Sequence, residues 1–281
     1  MSQKSYDGNT TLYIVPTPIG NLEDMTFRAI STLKEVDVIF SEDTRVTLNL
    51  LNHFNIKKHI VSSHKFNEEI SSDNLLKYLS MGKNVALVTD RGTPIVSDPG
   101  NFCVKKAIES GFNVVSLPGA TAAIPALTSS GIDASRFIFY GFLNSKSSQR
   151  KKELELLKHE KMTIIFYEAP HRILDMLKDL KEVFGDRYIS ISREISKKYE
   201  EIYRGSISEV VTELGDPKGE FVIVVSGNDT IMNFDDMSVK EHVNMYIEDG
   251  NDEKTAIKMV AKDRNVPKSE IYKEYKLFPG K

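Results

Sequence analysis

Two short loops of this chain contain residue types that are typical of ligand binding. The first loop, residues 89–100, has the sequence TDRGTPIVSDPG, and the second, residues 117–123, has the sequence LPGATAA. Each follows a short apolar run, and open α/β sheets bind ligands where a strand ends in such a turn. Glycines let the backbone approach a ligand, and prolines keep a loop rigid. Both loops are therefore predicted to bind a ligand, although neither matches the glycine-rich patterns of dinucleotide or ATP sites.

Four more polar segments follow predicted strands, at residues 16–22, 41–45, 167–172 and 193–201. Polar residues at the carboxyl ends of parallel strands face one crevice. The same residue types also cap helices, and for any one loop taken alone capping is the simpler interpretation. Six such loops in one chain favour a shared binding site.

The elements that position these loops alternate between apolar runs and helical patterns, which predicts an α/β fold. In residues 11–119, strands are predicted near residues 12–15, 36–40, 60–61, 85–88 and 114–117. Continuous apolar runs suit a mostly parallel sheet that is covered on both faces. Crossover helices are predicted at residues 24–34, 45–54, 72–81 and 100–110.

A second α/β domain is predicted for residues 120–228. Its strands at 188–192 and 201–204 are too close in sequence for a crossover helix, so this sheet is expected to be mixed. Residues 1–10 are predicted to form a flexible tail. Residues 229–281 are predicted to form a polar linker and a small helical extension.

Composition narrows the class of protein. The chain has 281 residues, a net charge of −3, 40% hydrophobic and 27% charged residues, which is typical of soluble globular domains. Its one cysteine, Cys103, excludes an internal disulfide and a cysteine zinc cluster. Residues 1–10 lack the apolar core of a signal peptide, and no apolar run is long enough to cross a bilayer. We therefore expect a cytoplasmic protein that does not bind membranes.

Six motifs resemble those of the ribosomal RNA small-subunit methyltransferase I family, a branch of the tetrapyrrole-methylase superfamily. They are VPTPIGNL at 15–22, EDTR at 42–45, DRGTP at 90–94 with SDPG at 97–100, YEAPHR at 167–172, REISKK at 193–198 and GEFV at 219–222. The resemblance covers residues 11–228 and is looser beyond 229. Arg91 departs from the family pattern, which usually has a small residue at this position.

The resemblance implies an S-adenosylmethionine-dependent enzyme that methylates the ribose 2′-hydroxyl of a cytidine, position 1402, in 16S rRNA. It implies a tetrapyrrole-methylase-like fold with the donor in a cleft between the two domains, and no metal. A homodimer is also expected. Carried over to this chain, the donor site consists of Asp90, Gly92, Thr93, Pro94, Val96, Ser97, Thr121, Ala122, Tyr167, Gly219 and Glu220.

Methylation of a hydroxyl group benefits from a proton acceptor within hydrogen-bond reach. The catalytic candidates follow the second and third predicted strands, and we expect them to converge beside the loop at Asn21. They are Glu42, Asp43, Arg45, His64 and Glu68. Arg91 is expected to point away from the donor, because a guanidinium beside a positively charged sulfonium is unfavourable.

Contact with RNA requires cations, and arginines and lysines are concentrated in two segments. The predicted RNA-binding residues are Lys146, Arg150, Lys151, Arg172, Arg193, Lys197 and Lys198. A solvated charged surface is an equally good explanation for the cluster at 146–152. Two other functions stay open: a methyltransferase for a small planar acceptor such as a tetrapyrrole, and a non-catalytic RNA- or nucleotide-binding module in which Arg91 blocks the cleft.

Overall fold

The computed structural model describes residues 3–5, 7–63, 68–215, 217–228, 237–248, 250–264 and 266–277. The chain divides into two compact units, Met1–Asn228 and Asp229–Lys281. The boundary predicted between residues 119 and 120 falls inside the first unit, which contains both sheets. The two predicted α/β domains are therefore two sheets of one compact unit.

The first sheet is entirely parallel, with strand order β3-β2-β4-β1-β5 among the described residues. Its strands are β1 (Thr11–Ile14), β2 (Val38–Ser41), β3 (His59–Ser62), β4 (Val85–Val88) and β5 (Asn113–Ser116). The crossover helices are α1 (Phe27–Glu35), α2 (Thr44–His53), α3 (Glu68–Ser80) and α4 (Asn101–Glu109). All residues of β2 and β4 are buried, because helices pack on both faces, which confirms the interpretation of their continuous apolar runs.

The second sheet is mixed, as predicted, with strand order β6-β7-β10-β8-β9 among the described residues. Its strands are β6 (Phe137–Phe142), β7 (Thr163–Glu168), β8 (Tyr188–Arg193), β9 (Glu201–Ser206) and β10 (Phe221–Val225). The helices of this half are α5 (Ala123–Ser130), α6 (Ser147–Leu157), α7 (Ile173–Phe184) and α8 (Ile207–Leu214). Among the described strands of this sheet, only β6 and β7 pair in parallel, and β10 lies in the centre, antiparallel to β7 and β8.

Part of the predicted flexible tail is held against the edge strand β5. The Gln3 side chain donates to the carbonyl of Val114 (2.7 Å) and accepts from its N–H (2.9 Å). The Asn113 side chain donates to Asp7 Oδ1 at 2.9 Å. These bonds satisfy polar groups of an edge strand that lacks a neighbour on this side. The described part of the segment 1–10 is therefore anchored, contrary to the prediction of a free tail.

The second unit is helical, which confirms the predicted extension. It contains α9 (Val239–Glu248), α10 (Glu253–Asp263) and α11 (Lys268–Leu277), which enclose a small core that includes Val243, Ala256 and Val260. Residues 229–236 of the predicted linker lie outside the described residues. Throughout the described chain, every helix is too short or too polar to cross a bilayer.

Candidate functional site

A cavity of about 530 Å³ lies between the loops of the two sheets. Its walls come from the loop after β1, the loop after β4, the start of the segment that leads to α5, the end of β7 and the start of β10. Eight of the predicted donor-site residues line it: Gly92, Thr93, Val96, Ser97, Thr121, Ala122, Tyr167 and Glu220. Asp90, Pro94 and Gly219 lie outside this lining, so the structure brings most, but not all, of the predicted set together.

Backbone and side-chain hydrogen bonds hold the loops of the first sheet together. Thr17 and Gly92 form an isolated antiparallel bridge in which each N–H donates to the other residue's carbonyl at 2.9 Å. Thr93 Oγ1 donates to the carbonyl of Ala120 at 3.1 Å. Gly119 packs so closely on Pro16 that an added Cβ would lie 2.7 Å from the Pro16 Cβ. The loops after β1, β4 and β5 therefore form one rigid edge.

The loop after β4 contains two non-glycine residues in the left-handed region. Ile95 has a φ of +80° and Ser97 has a φ of +65°. A β-branched residue rarely adopts this conformation, and each such residue costs about 1–3 kcal/mol. Ile95 packs against a hydrophobic core of the first sheet, and this packing helps to hold the backbone in the left-handed conformation. Strained backbone of this kind is concentrated at functional sites.

Aromatic residues form the wall on the side of the second sheet. The Tyr167 ring meets Phe139 and Phe142 edge-on, with centroid distances of 5.0 and 5.6 Å. Burial raises the pKa of Tyr167 above its ordinary value, so its hydroxyl stays protonated at neutral pH. Phe221 and Val222 of β10 continue the apolar wall. This side of the cavity suits a flat apolar group.

Asp98 is a cavity residue that the sequence prediction missed as a site residue. Burial, followed by the nearby charge of Glu42, raises its pKa from 3.8 to about 6. Among the described residues no cation forms an ion pair with Asp98. The adjacent Thr89 hydroxyl donates to Glu42 Oε2 at 2.8 Å. The sequence signal for Asp98 was its position in the loop after β4, because neighbouring residues of that loop were predicted to bind the donor.

Arg91 is among the residues that line the cavity, so it does not lie away from the predicted donor-site residues, as was expected. Its Nη1 donates to Glu220 Oε1 at 2.6 Å, and Glu220 also accepts from Lys197 Nζ at 2.8 Å. Lys197 donates in addition to Glu194 at 2.8 Å. The two carboxylates offset both cations, which explains how a guanidinium is accommodated here. Because Arg91 and Glu220 are largely exposed, their pair adds little to stability.

The described catalytic candidates lie at the end of β2, outside the lining of this cavity. Glu42 accepts the Thr89 hydrogen bond, and Asp43 caps α2 by accepting from the N–H of Arg45 at 2.8 Å. The Arg45 side chain also pairs with Asp43, and this hydrogen bonding lowers the Asp43 pKa to about 2. Such a carboxylate is a weak base. His64 lies outside the described residues, and so does the side chain of Glu68, the first residue of α3.

Arg150 does not fit its predicted role in RNA binding. It is only 2% exposed, and its guanidinium pairs with Asp179 of α7 at 2.7 Å. The same Asp179 accepts from the hydroxyl of Ser147 at 3.0 Å. A buried guanidinium with a matched carboxylate cannot reach a phosphate at the surface. Arg150 therefore joins α6 to α7, and the prediction is wrong for this residue.

Most of the other predicted RNA-binding cations have acidic partners. Lys151 pairs with Glu182 at 2.6 Å, and Arg172 pairs with the buried Glu168 at 2.7 Å. Arg193 and Glu201 lie 3.2 Å apart. Lys146 and Lys198 are exposed, and neither forms an ion pair with any described residue. Lys198 Nζ lies 5.6 Å from the centroid of the Tyr199 ring.

The sequence comparisons define the class of protein. Residues 11–211 match the family model of the tetrapyrrole (corrin/porphyrin) methylases, so the chain belongs to this family of methyltransferases. It is 50% identical over 284 residues to "Ribosomal RNA small subunit methyltransferase I" of Bacillus subtilis (strain 168), with 97% of each chain covered. It is 47% identical to the protein of the same name from Halalkalibacterium halodurans, with 98% of each covered. Within the tetrapyrrole methylases, the chain belongs to the ribosomal RNA small subunit methyltransferase I family.

Solved structures of other proteins share the fold. Diphthine synthase aligns with a TM-score of 0.60 at 15% identity, covering 78% of this chain and 90% of the other. The methyltransferase CobJ aligns with a TM-score of 0.57 at 17% identity, covering 78% and 95%. Uroporphyrin-III C-methyltransferase from Thermus thermophilus, complexed with S-adenosyl homocysteine, aligns with a TM-score of 0.56 at 20% identity, covering 77% and 97%. Because these sequence identities are low, the structural similarity supports the predicted fold and nothing further.

Proposed function

We propose that this methyltransferase uses S-adenosylmethionine to methylate the ribose 2′-hydroxyl of cytidine 1402 in 16S rRNA of the small ribosomal subunit. The names of the relatives support rRNA as the substrate. The S-adenosyl homocysteine in a structure of similar fold supports the donor. The observation that carries the proposal is the cavity, because four of the six motifs shared with the family contribute to its walls.

The cavity residues fit S-adenosylmethionine in size and chemistry. A volume of about 530 Å³ lies within the range of pockets that hold drug-sized ligands. The aromatic wall at Phe142 and Tyr167 suits an adenine ring, and the hydroxyls of Thr93, Ser97 and Thr121 offer hydrogen bonds. The described residues contain no group of three His, Cys, Asp or Glu side chains placed to hold a metal ion.

Once bound, S-adenosylmethionine supplies a methyl group on a sulfonium, and transfer to the ribose oxygen leaves the bonding pair on sulfur and releases the hydroxyl proton. Asp98 accepts this proton on its carboxylate. Its pKa of about 6 leaves it mostly ionised at neutral pH and more basic than an ordinary aspartate. The rigid loops at Gly92 and Ala120 align the reacting groups, which supplies much of the rate in such a displacement.

Lys146 and Lys198 are the best candidates for contacts with RNA phosphates, because they are exposed and form no ion pair among the described residues. Tyr199 is exposed beside Lys198 and is placed to stack on a base.

The rRNA substrate is the reason to assign the chain to the cytoplasm. The homodimer stays a prediction, which light scattering of the purified chain tests.

The decisive experiment maps ribose methylation of 16S rRNA from cells with and without this gene. We expect a single 2′-O-methylcytidine to disappear without the gene, and purified chain with S-adenosylmethionine to restore it on small subunits from those cells. Calorimetry with S-adenosylmethionine separates the other functions. A chain that binds no donor would be a non-catalytic module, and one that binds donor but leaves rRNA unmodified would act on another acceptor.

A further inference from the structure

A second cavity, of about 260 Å³, lies beside the donor cavity at the same edge of the first sheet. It is bounded by residues of the loop after β1, by the end of β4 and by one face of α2. That face consists of Val46, Asn49, Leu50 and His53, which recur at the i, i+3, i+4, i+7 spacing of neighbouring positions on a helix. The cavity is about half the volume of the donor cavity.

The two cavities adjoin at the loops after β1 and β4. Thr17 lines the second cavity and Gly92 lines the donor cavity, and the two residues are joined by backbone hydrogen bonds of 2.9 Å. Arg91 lines both cavities. Ligands in the two cavities would therefore lie next to each other at Arg91.

The walls of the second cavity match the parts of a nucleotide. Leu22 and Val46 line it and leave 42% and 41% of their surfaces exposed, which suits apolar contact with a base. The Asn49 carboxamide is exposed and has no hydrogen-bond partner among the described residues, so it can donate to and accept from a base edge. The Arg91 guanidinium can hold a phosphate. A volume just below that of drug-sized pockets suits a single nucleoside.

We propose that the second cavity binds the acceptor nucleoside, extruded from its RNA strand, with its ribose directed at Arg91 and the donor cavity. This inference rests on the proposed function, because it assigns the acceptor of that reaction. A base held inside a helix cannot enter a cavity of this kind, so the target nucleotide must be single-stranded or extruded. Asp98, the proposed acceptor of the ribose proton, lines the donor cavity.

The matched variants V46W and L48W test the inference. Both add an indole to α2, but Val46 lines the second cavity and Leu48, 49% exposed, does not. The readouts are kcat/KM on small ribosomal subunits and S-adenosylmethionine affinity by calorimetry. For V46W we expect kcat/KM to fall about 100-fold with unchanged donor affinity, because the nucleoside is displaced from its reactive position. L48W should stay within about twofold of the original chain in both measurements.

A second pair of variants tests the inference if V46W does not fold. N49A removes the carboxamide inside the cavity, and N52A removes one from an exposed position on the same helix that does not line it. We expect N49A to raise KM for small subunits by about tenfold, the effect of losing a hydrogen-bonded base contact, and N52A to leave it unchanged.

Three outcomes would overturn the inference without touching the proposed function. They are equal kcat/KM values for V46W and L48W, equal KM values for N49A and N52A, and weakened donor binding by V46W, which would assign the second cavity to the donor. The proposed function fails separately, if the original chain transfers no methyl group to small subunits.

Discussion

The rim of the donor cavity and the contact between α6 and α7 both contain charged residues at positions predicted for function. The two regions differ in whether these charges are buried in ion pairs. At the α6–α7 contact, Arg150 and Asp179 are buried together at 2.7 Å. At the cavity rim, Asp98 is half-buried without an ion pair among the described residues, and Arg91 and Glu220 stay exposed. The α6–α7 contact pairs its buried charges, whereas the cavity rim leaves the Asp98 carboxylate without an ion pair among the described residues.

This difference indicates which ionisable groups serve stability and which serve chemistry. A buried charge with its counter-ion stabilises one arrangement of helices and is costly to break. A carboxylate that burial and like charges have made more basic lowers the stability of the fold at neutral pH, but it is better suited to accept a proton. We therefore expect substitutions in the two regions to separate activity from stability.

The largest effect on activity is expected for D98N. The amide keeps the shape of the side chain but cannot accept the ribose proton, so single-turnover methylation should fall by about 10²–10⁴-fold while donor affinity is retained. The folded chain should also become more stable to urea at pH 8. The raised pKa means that the fold disfavours the ionised Asp98, and the stability difference should vanish below the ordinary carboxyl pKa, near pH 4. Full activity in D98N would exclude Asp98 as the base.

A large effect on stability is expected for R150M. Removing one partner of a buried pair leaves Asp179 with only the more distant Lys151, at 3.7 Å, as counter-charge among the described residues, so the free energy of unfolding should fall by up to about 3–5 kcal/mol. Urea unfolding measures this loss. The double variant R150M/D179L, which removes both charges, should recover much of it. Methylation per folded molecule should be unchanged, and reduced RNA binding by well-folded R150M would restore the role predicted from the sequence.

A smaller effect is expected from pH. Because the pKa of Asp98 is about 6, the single-turnover rate should rise by about tenfold from pH 5 to pH 7 and then level off. Rates measured across this range on the original chain and on D98N provide the test. The variant should show no inflection near pH 6, and an inflection that persists in D98N would assign it to another group.

The smallest effect is expected for D43N. Asparagine caps helices about as well as aspartate, and a carboxylate with a pKa of about 2 contributes little as a base. Single-turnover methylation should stay within about twofold of the original rate. A loss comparable to that of D98N would show that Asp43 takes part in the chemistry, and would reverse the assignment made from the hydrogen bonds of Arg45.

The strands and helices of the first unit were predictable because each is encoded locally. The apolar run at 85–88 coincides with β4, and the crossover helix predicted at 100–110 coincides with α4. The short spacing between β8 and β9 correctly predicted antiparallel pairing. The central position of β10 was not predictable, since strand order depends on contacts between segments far apart in the chain.

The site was predictable where the residues share a loop and not where distant partners decide their state. Gly92, Thr93 and Ser97 line the cavity as predicted, because the loop after β4 carries them together. Arg150 was misassigned because its partner, Asp179, is 29 residues away and sequence alone does not show the pair. Asp98 was missed for the same reason, because burial and Glu42, not its sequence neighbours, set its pKa.

The left-handed backbone at Ile95 and Ser97 affects how often the loop after β4 opens. Opening the loop releases the strain of these residues, about 1–3 kcal/mol each, whereas the strands beside it carry no such strain. Since 1.4 kcal/mol corresponds to a tenfold change in an equilibrium, the loop should open at least about tenfold more often than an unstrained loop of the same length. We therefore expect the strain in this loop to ease exchange of the ligand that the cavity binds.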